Sequence, residues 1–312
     1  MKIKELKNKR NFYFIIVMYL GLLQTINAQQ YPQYTQYTYN MTIVNPAYAG
    51  SRNALSINML GRTQWVGVEG APKTGTLSIH SPVGLHENMG LGFSAIYDQV
   101  GPLKETHLYA DISYTLDVSY SGKLAFGLKG GVSFQNLNQS LLNFNSSQSF
   151  TANLNNRTYP NFGFGMYYNE EKFYVGVSIP NILQTNFLNS ESGLITETSK
   201  NSTFFIASGY VFEINDDIQL KPSFLVKYSS VLPTSFDLSA TVFIQNKLEL
   251  GTSYRLSESM SFVAALFVND NLRIGYAYDY SVGNLSGYSN GSHEIMLLFD
   301  LPRKGKIVPK YY

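Results

Sequence analysis

The sequence predicts an all-β fold: a transmembrane antiparallel β-barrel of about 14 strands, with short periplasmic turns and longer extracellular loops. Three observations lead there. The N-terminus has the form of an export signal, the chain from Ala54 onward alternates with a period of two, and its connections are long and short by turns.

Residues 1–28 read as a cleavable signal. Lys2, Lys4, Lys7, Lys9 and Arg10 form a basic start, Phe12–Leu23 an apolar stretch, and Ile26-Asn27-Ala28 a cleavage site that would leave Gln29 first. The apolar stretch is shorter than the roughly 20 residues that a spanning helix needs. Removing the signal also changes the charge balance. The full chain has 23 basic and 21 acidic residues, and without residues 1–28 it keeps 18 and 20, so nucleic acid is not an expected partner. With no cysteine, an exported chain of 312 residues must draw its stability from a large sheet. No later apolar run is long enough for a membrane helix, so any membrane crossing would be made by strands.

The alternation places the faces. In Asn271–Tyr280, Leu272, Ile274, Tyr276, Tyr278 and Tyr280 share one side, and Asn271, Arg273, Gly275, Ala277 and Asp279 share the other. Lys247–Leu256, Ser235–Ile244, His107–Val118, Lys123–Phe134 and Asp217–Tyr228 divide in the same way. Fourteen such segments centre near residues 58, 77, 93, 112, 128, 164, 175, 207, 223, 240, 251, 263, 275 and 297. Their length, about ten residues, suits a tilted membrane strand. The apolar face is then expected toward lipid, and Lys123, Lys129, Lys221, Lys227, Asp237, Glu249, Arg255, Arg273 and Asp279 toward the lumen. The 24 Tyr and 20 Phe fit the aromatic girdles of such barrels, and no propeller-type repeat is visible.

Turn-forming clusters at Tyr120–Lys123, Asn169–Lys172, Asn215–Asp217, Gln245–Lys247 and Asn269–Asn271 follow even-numbered strands. Long connections near 64–73, 136–158, 181–200 and 282–291 follow odd-numbered ones, the parity a barrel with a periplasmic N-terminus requires. Two connections break that parity: a short one at Ser257–Ser259 and an eight-residue one between the second and third strands. The domain plan is therefore a signal (1–28), an N-terminal periplasmic or lumen-plug segment (29–53), a barrel (54–301) and a basic periplasmic tail (302–312).

Little in the chain points to catalysis. The four histidines, His80, His86, His107 and His293, show no metal-ligand spacing, and neither a metal nor another cofactor is expected. His107 shares the polar face of its strand with Asp111, the nearest approach to a hydrolase pair, and lumen hydrogen bonding explains it better. Gly127, Gly130 and Gly131 lie within an alternating strand with no helix after them, which points to bends or close backbone packing rather than a phosphate loop.

Residues 31–82 carry a family resemblance. Tyr34-Thr35-Gln36-Tyr37, Asn40 and Asn45-Pro46-Ala47-Tyr48-Ala49-Gly50 precede Arg62, Gln64-Trp65-Val66-Gly67, Gly70-Ala71-Pro72, Thr74, Leu77-Ser78 and Pro82. In order and spacing these motifs resemble the PorP/SprF family, outer-membrane proteins associated with type IX secretion and gliding in Bacteroidota. Thr35 stands where Ser is expected, which keeps a hydroxyl in place. A similar Asn-Pro-Ala box occurs in FadL-type transporters, and an outer-membrane channel for hydrophobic small molecules is the alternative. The resemblance implies an integral outer-membrane barrel, without catalytic turnover, that supports secretion, anchoring or assembly of cell-surface adhesins. Its expected partners are outer-membrane lipid, a secreted adhesin or other type IX substrate, and a periplasmic peptidoglycan-associated protein. Asn45, Pro46, Ala47, Tyr48, Gly50, Arg62, Gln64, Trp65, Gly67, Gly70 and Pro72 are the candidate structural or partner-binding residues. Pro46 and Gly50 break strand continuity and imply a fixed turn into the first strand. Trp65, the sole tryptophan, falls just beyond that strand, where an aromatic-belt anchor is expected.

Overall fold

The computed structural model describes residues 32–84, 87–137, 157–183, 185–186, 199–200, 202–230, 233–283 and 286–302. The signal region and the basic tail beyond Pro302 lie outside them. Fourteen antiparallel strands form the wall: β1 Ala54–Thr63, β2 Lys73–Val83, β3 Met89–Val100, β4 Leu103–Asp117, β5 Lys123–Leu137, β6 Arg157–Asn169 and β7 Phe173–Ile179. They continue as β8 Thr203–Tyr210, β9 Ile218–Ser229, β10 Ser235–Ile244, β11 Leu248–Arg255, β12 Ser259–Phe267, β13 Leu272–Ser281 and β14 Ser292–Pro302. Phe212–Asn215 prolongs β8 along β9, and a separate two-residue ladder joins Thr185–Asn186 to Ser199–Lys200.

Each strand pairs with its sequence neighbours, and β14 pairs with β1 from Ala54↔Pro302 to Thr63↔His293. That last pairing closes the sheet into a barrel, so no hydrogen-bonding edge faces lipid. Pro302 is the final ladder residue described, one position beyond the expected last strand residue.

The period-two pattern fixes the faces as expected. Along β13, Ile274, Tyr276 and Tyr280 are exposed, while Arg273 and Asp279 are buried in the interior. Lys129, Lys221, Lys227, Asp237, Glu249 and Arg255 also point inward and are buried. Lys123 has inward parity too, but it is the first residue of β5 and stands exposed at the rim.

One end carries the connections 64–72, 138–156, 180–202 and 282–291, and the other carries turns such as 170–172, 216–217 and 245–247. The first is the long-connection end and the second the short-turn end. Two further connections depart from the parity, because 101–102 and 230–234 are short at the long-connection end. At the first, β3 and β4 run on as a ribbon to a tight Gly101-Pro102 turn, with Gly101 at a φ of 55° and its N–H donating to the Gly70 carbonyl at 2.8 Å. The 2–3 connection is only 84–88, because β3 begins already at Met89.

Candidate functional site

The barrel's interior is occupied by its own N-terminal segment. Residues 32–53 form short turns, a 3-10 turn at Tyr37–Tyr39, a single helical turn at Met41–Val44 and a second 3-10 turn at Pro46–Tyr48. Almost all of their side chains are buried. The local geometry follows from the sequence. Asn45 is extended, its Oδ1 accepts the Ala47 N–H at 3.0 Å, and Pro46 at the first position of the turn supplies a preset φ.

The segment runs the length of the lumen. Gln33 receives a hydrogen bond from Arg255 at 2.9 Å and reaches Glu258, both at the long-connection end. Tyr39 donates to Glu249 lower in the wall, Lys129 Nζ donates to the Thr42 carbonyl, and Ser178 Oγ donates to the Val44 carbonyl. At the short-turn end, Ser113 Oγ donates to the Ala49 carbonyl, and Arg52 pairs with Asp300 at 2.7 Å. Wall side chains thus satisfy main-chain groups that a lumen segment without a ladder would leave bare.

Two clusters of candidate residues result. The first is Asn45, Pro46, Ala47, Tyr48 and Gly50, seated low in the lumen. Asn45 Nδ2 donates to the Met166 carbonyl at 3.0 Å, and Tyr48 meets the rings of His80 and Tyr167 edge-on. The wall opposite carries glycines because the plug approaches it so closely. A Cβ on Gly127 would stand 2.2 Å from the Ala47 nitrogen, and one on Gly165 would stand 2.0 Å from Asn45 Oδ1. Gly50 needs its glycine for a second reason, a φ of 79°, and its N–H donates to His80 Nδ1 at 3.1 Å.

The second cluster centres on Arg62 in the upper lumen. Its guanidinium pairs with Asp279 at 2.6 Å and Glu294 at 3.1 Å and donates to Thr35 Oγ1 at 2.9 Å. Glu294 in turn accepts the backbone N–H groups of Thr35 and Gln36 at 3.0 and 2.8 Å, and the Thr35 hydroxyl donates to Asp279. The hydroxyl retained at position 35 is therefore a working member of the clamp.

Gln64, Trp65, Gly67, Gly70 and Pro72 belong to neither cluster. They build the 64–72 connection and tie it to its neighbours. The Gln64 N–H donates to the Pro72 carbonyl, Val66 and Gly291 are joined at 2.8 Å, and Gly67 lies against Asn290. Trp65 takes a left-handed backbone at a φ of 44°, rare for so bulky a residue, with its N–H held by Ser292 Oγ at 3.1 Å. The candidates thus divide between a lumen plug and a loop brace at the long-connection end.

An epitope placed directly before Pro32 is consequently expected to surface with tags near Ser147 or Glu191, two sites outside the described residues in long connections. Tags near Asn246 or Asp270 should be hidden on intact cells. Labelling of the second pair alone would reverse the barrel, and an N-terminal epitope grouping with that pair would overturn the path of the plug.

The family model of the type IX secretion system membrane protein PorP/SprF matches residues 26–299, spanning the plug and nearly the whole wall. The chain belongs to the PorP/SprF family. No curated protein matches it. Among solved structures, this PorP/SprF barrel is similar to the CymD monoaromatic hydrocarbon channel, at 13% identity and a TM-score of 0.52 over 85% of this chain and 93% of that one. It is also similar to Omp33 of Acinetobacter baumannii, at 11% identity and a TM-score of 0.43 over 81% and 100%. At 13% identity, the CymD likeness shows a shared barrel fold.

In this PorP/SprF chain, the His107 and Asp111 side chains have different partners. Asp111 faces Lys129 at 2.7 Å, whereas His107 Nδ1 lies 2.7 Å from Ser133 Oγ and its Nε2 lies 3.6 Å from Glu105. Ser133, His107 and Glu105 have the residue types of a hydrolase triad, but they stand in paired strands whose backbone N–H groups serve the ladder rather than an oxyanion. Ser133 is also 2% exposed, which leaves a substrate little access. The set works as a hydrogen-bonded wall that also takes in Tyr159 and Gln135 through Glu105. Among the described residues, no group of three His, Asp or Glu is arranged to hold a metal.

Proposed function

We propose that this PorP/SprF barrel is an integral outer-membrane platform that anchors type IX-secreted adhesins at the cell surface by binding them. In the same proposal, its periplasmic side docks a peptidoglycan-associated protein. The observation that supports this is the lumen, occupied from end to end by residues 32–53 and walled by ion pairs. A barrel filled by its own chain offers its two ends as working surfaces. A FadL-like channel would instead need an apolar route, and Arg62, Lys129, Arg255 and their carboxylate partners stand in its way.

Affinity isolation of the tagged full-length protein from outer membranes, with mass spectrometry of what co-purifies, tests this. A secreted surface protein and a periplasmic peptidoglycan-associated protein are expected. Recovery of neither, together with lost uptake of a hydrophobic compound in a deletion strain, would replace the platform by the channel. The tail beyond the described residues carries Arg303, Lys304, Lys306 and Lys310 with no acidic residue. Deleting 304–312 is expected to leave barrel abundance unchanged while reducing recovery of the periplasmic partner. Unchanged recovery would remove the tail from docking, and loss of the barrel would mean that the last strand extends further.

A further inference from the structure

The outward face of the wall is largely apolar, and its charge is gathered in one place. Among the described residues of the fourteen strands, the charged side chains of outward parity are Lys73 in β2 and Lys104 in β4. Both are exposed and both lie near the long-connection end. Gln99 of β3 pairs with each of them, so Lys73, Gln99 and Lys104 form one row across three adjacent strands. Neighbouring strands are about 4.8 Å apart, so the two ammonium groups can converge on one anion.

Directly beneath that row the wall is hollowed. Gly61, Gly75 and Ala95 form the floor of an outward-opening apolar cleft of about 540 Å³, flanked by Met59, Tyr97 and Ile295. Gly61 and Gly75 face each other across β1 and β2, and a Cβ added to either meets nothing within 4 Å. Tyr97 directs its hydroxyl to Gln99 at 3.1 Å, which marks where the apolar band gives way to the polar rim.

We propose that this surface binds one phosphate-bearing lipid of the outer leaflet, the lipid A moiety of lipopolysaccharide. Its phosphate lies between Lys73 and Lys104, and an acyl chain fills the cleft over Gly61 and Gly75. Charge complementarity selects this occupant: the outward face places its two cations together, beside its hollow and at headgroup level. A second barrel would present its own apolar band to the cleft and leave both cations unmatched. The site is independent of the lumen plug, and its lysines and glycines take no part in the plug contacts described above.

Native mass spectrometry of the full-length barrel, extracted in mild detergent and titrated with purified lipid A or with phosphatidylglycerol, tests the proposal. The wild type should retain lipid A in preference to phosphatidylglycerol. Lys73→Gln combined with Lys104→Gln should weaken lipid A binding about 30-fold, given the contribution of each basic residue near an anionic membrane surface. Gly75→Leu should displace the acyl chain while the barrel stays folded, because the added side chain enters open space. Equal retention of lipid A by wild type and both variants would overturn the site, as would preference for phosphatidylglycerol. Partner recovery is measured in parallel, so a failed platform reading and a failed lipid site give different results.

Discussion

Replacing Arg62 by alanine is expected to release the upper plug and to lower the stability of the folded barrel by about 3–5 kcal/mol, the range for breaking a buried ion pair by removing one partner. The magnitude follows from what is left behind. Asp279 and Glu294 have side-chain exposures of 3% and 0%, and both carboxylates would lose the cation between them. Glu294 would still accept from the Thr35 and Gln36 N–H groups, but Thr35 Oγ1 would lose its donor. Heat-modifiable migration and protease protection of residues 32–53 report the two consequences separately. Arg62→Lys should be intermediate, since it restores a charge without the fork that reaches Asp279, Glu294 and Thr35 together. Combining Arg62→Met with Asp279→Asn and Glu294→Gln should recover part of the loss, because no buried charge is then uncompensated. Full protection of the plug in Arg62→Ala would show that glycine-lined packing lower in the lumen holds it unaided.

How far such pairs were legible in advance depends on which turn sets their register. Asp237 and Arg255 are equidistant from the turn at Gln245–Lys247, as Asp111 and Lys129 are from the turn around Tyr120. A hairpin register therefore brings each pair face to face, and the sequence held that information. The pairing of His107 with Ser133 follows from the same turn, so linking His107 to Asp111 because they share a face of one strand missed the stronger constraint across the hairpin. Lys123 departs from the expected burial for a different reason. Parity assigns a face, but burial also depends on depth, and the first residue of a strand stands at the rim.

The Arg62 cluster could not be found in that way. Arg62 meets Glu294 across the β1–β14 closure, where no turn relates the two strands and the register comes from the shear of the whole barrel. Asp279 is one strand further away. The plug contacts were out of reach too, because residues 32–53 have no periodicity to say which wall they face. Glycines left a faint trace: Gly127, Gly165 and Gly176 fall on the inward side of β5, β6 and β7, where the Ala47 backbone or the Asn45 side chain of the plug comes too close for a Cβ. Inward glycines concentrated on neighbouring strands thus mark a wall against which another segment packs.

The lipid face yields the second large effect. Leu128 is 59% exposed on the outer side of β5, between Ile112 of β4 and Phe164 of β6, which are themselves outward and apolar. Leu128→Arg would set a guanidinium in that apolar expanse, at a cost of about 2–4 kcal/mol near the bilayer midplane. The next residue shows the contrast. Lys129 points the other way, is 2% exposed, and is matched by Asp111 and the Thr42 carbonyl, so one step along the strand separates a tolerated cation from a costly one. Leu256→Arg is the depth control. Leu256 is also exposed, but it lies just beyond the end of β11, where an arginine costs about 0–1 kcal/mol. The expected result is a large fall in the heat-modifiable folded form for Leu128→Arg and little change for Leu256→Arg. Unaltered folding of both would mean that Ile112, Leu128 and Phe164 do not face hydrocarbon, and equal loss in both would point to a defect in assembly that is indifferent to depth.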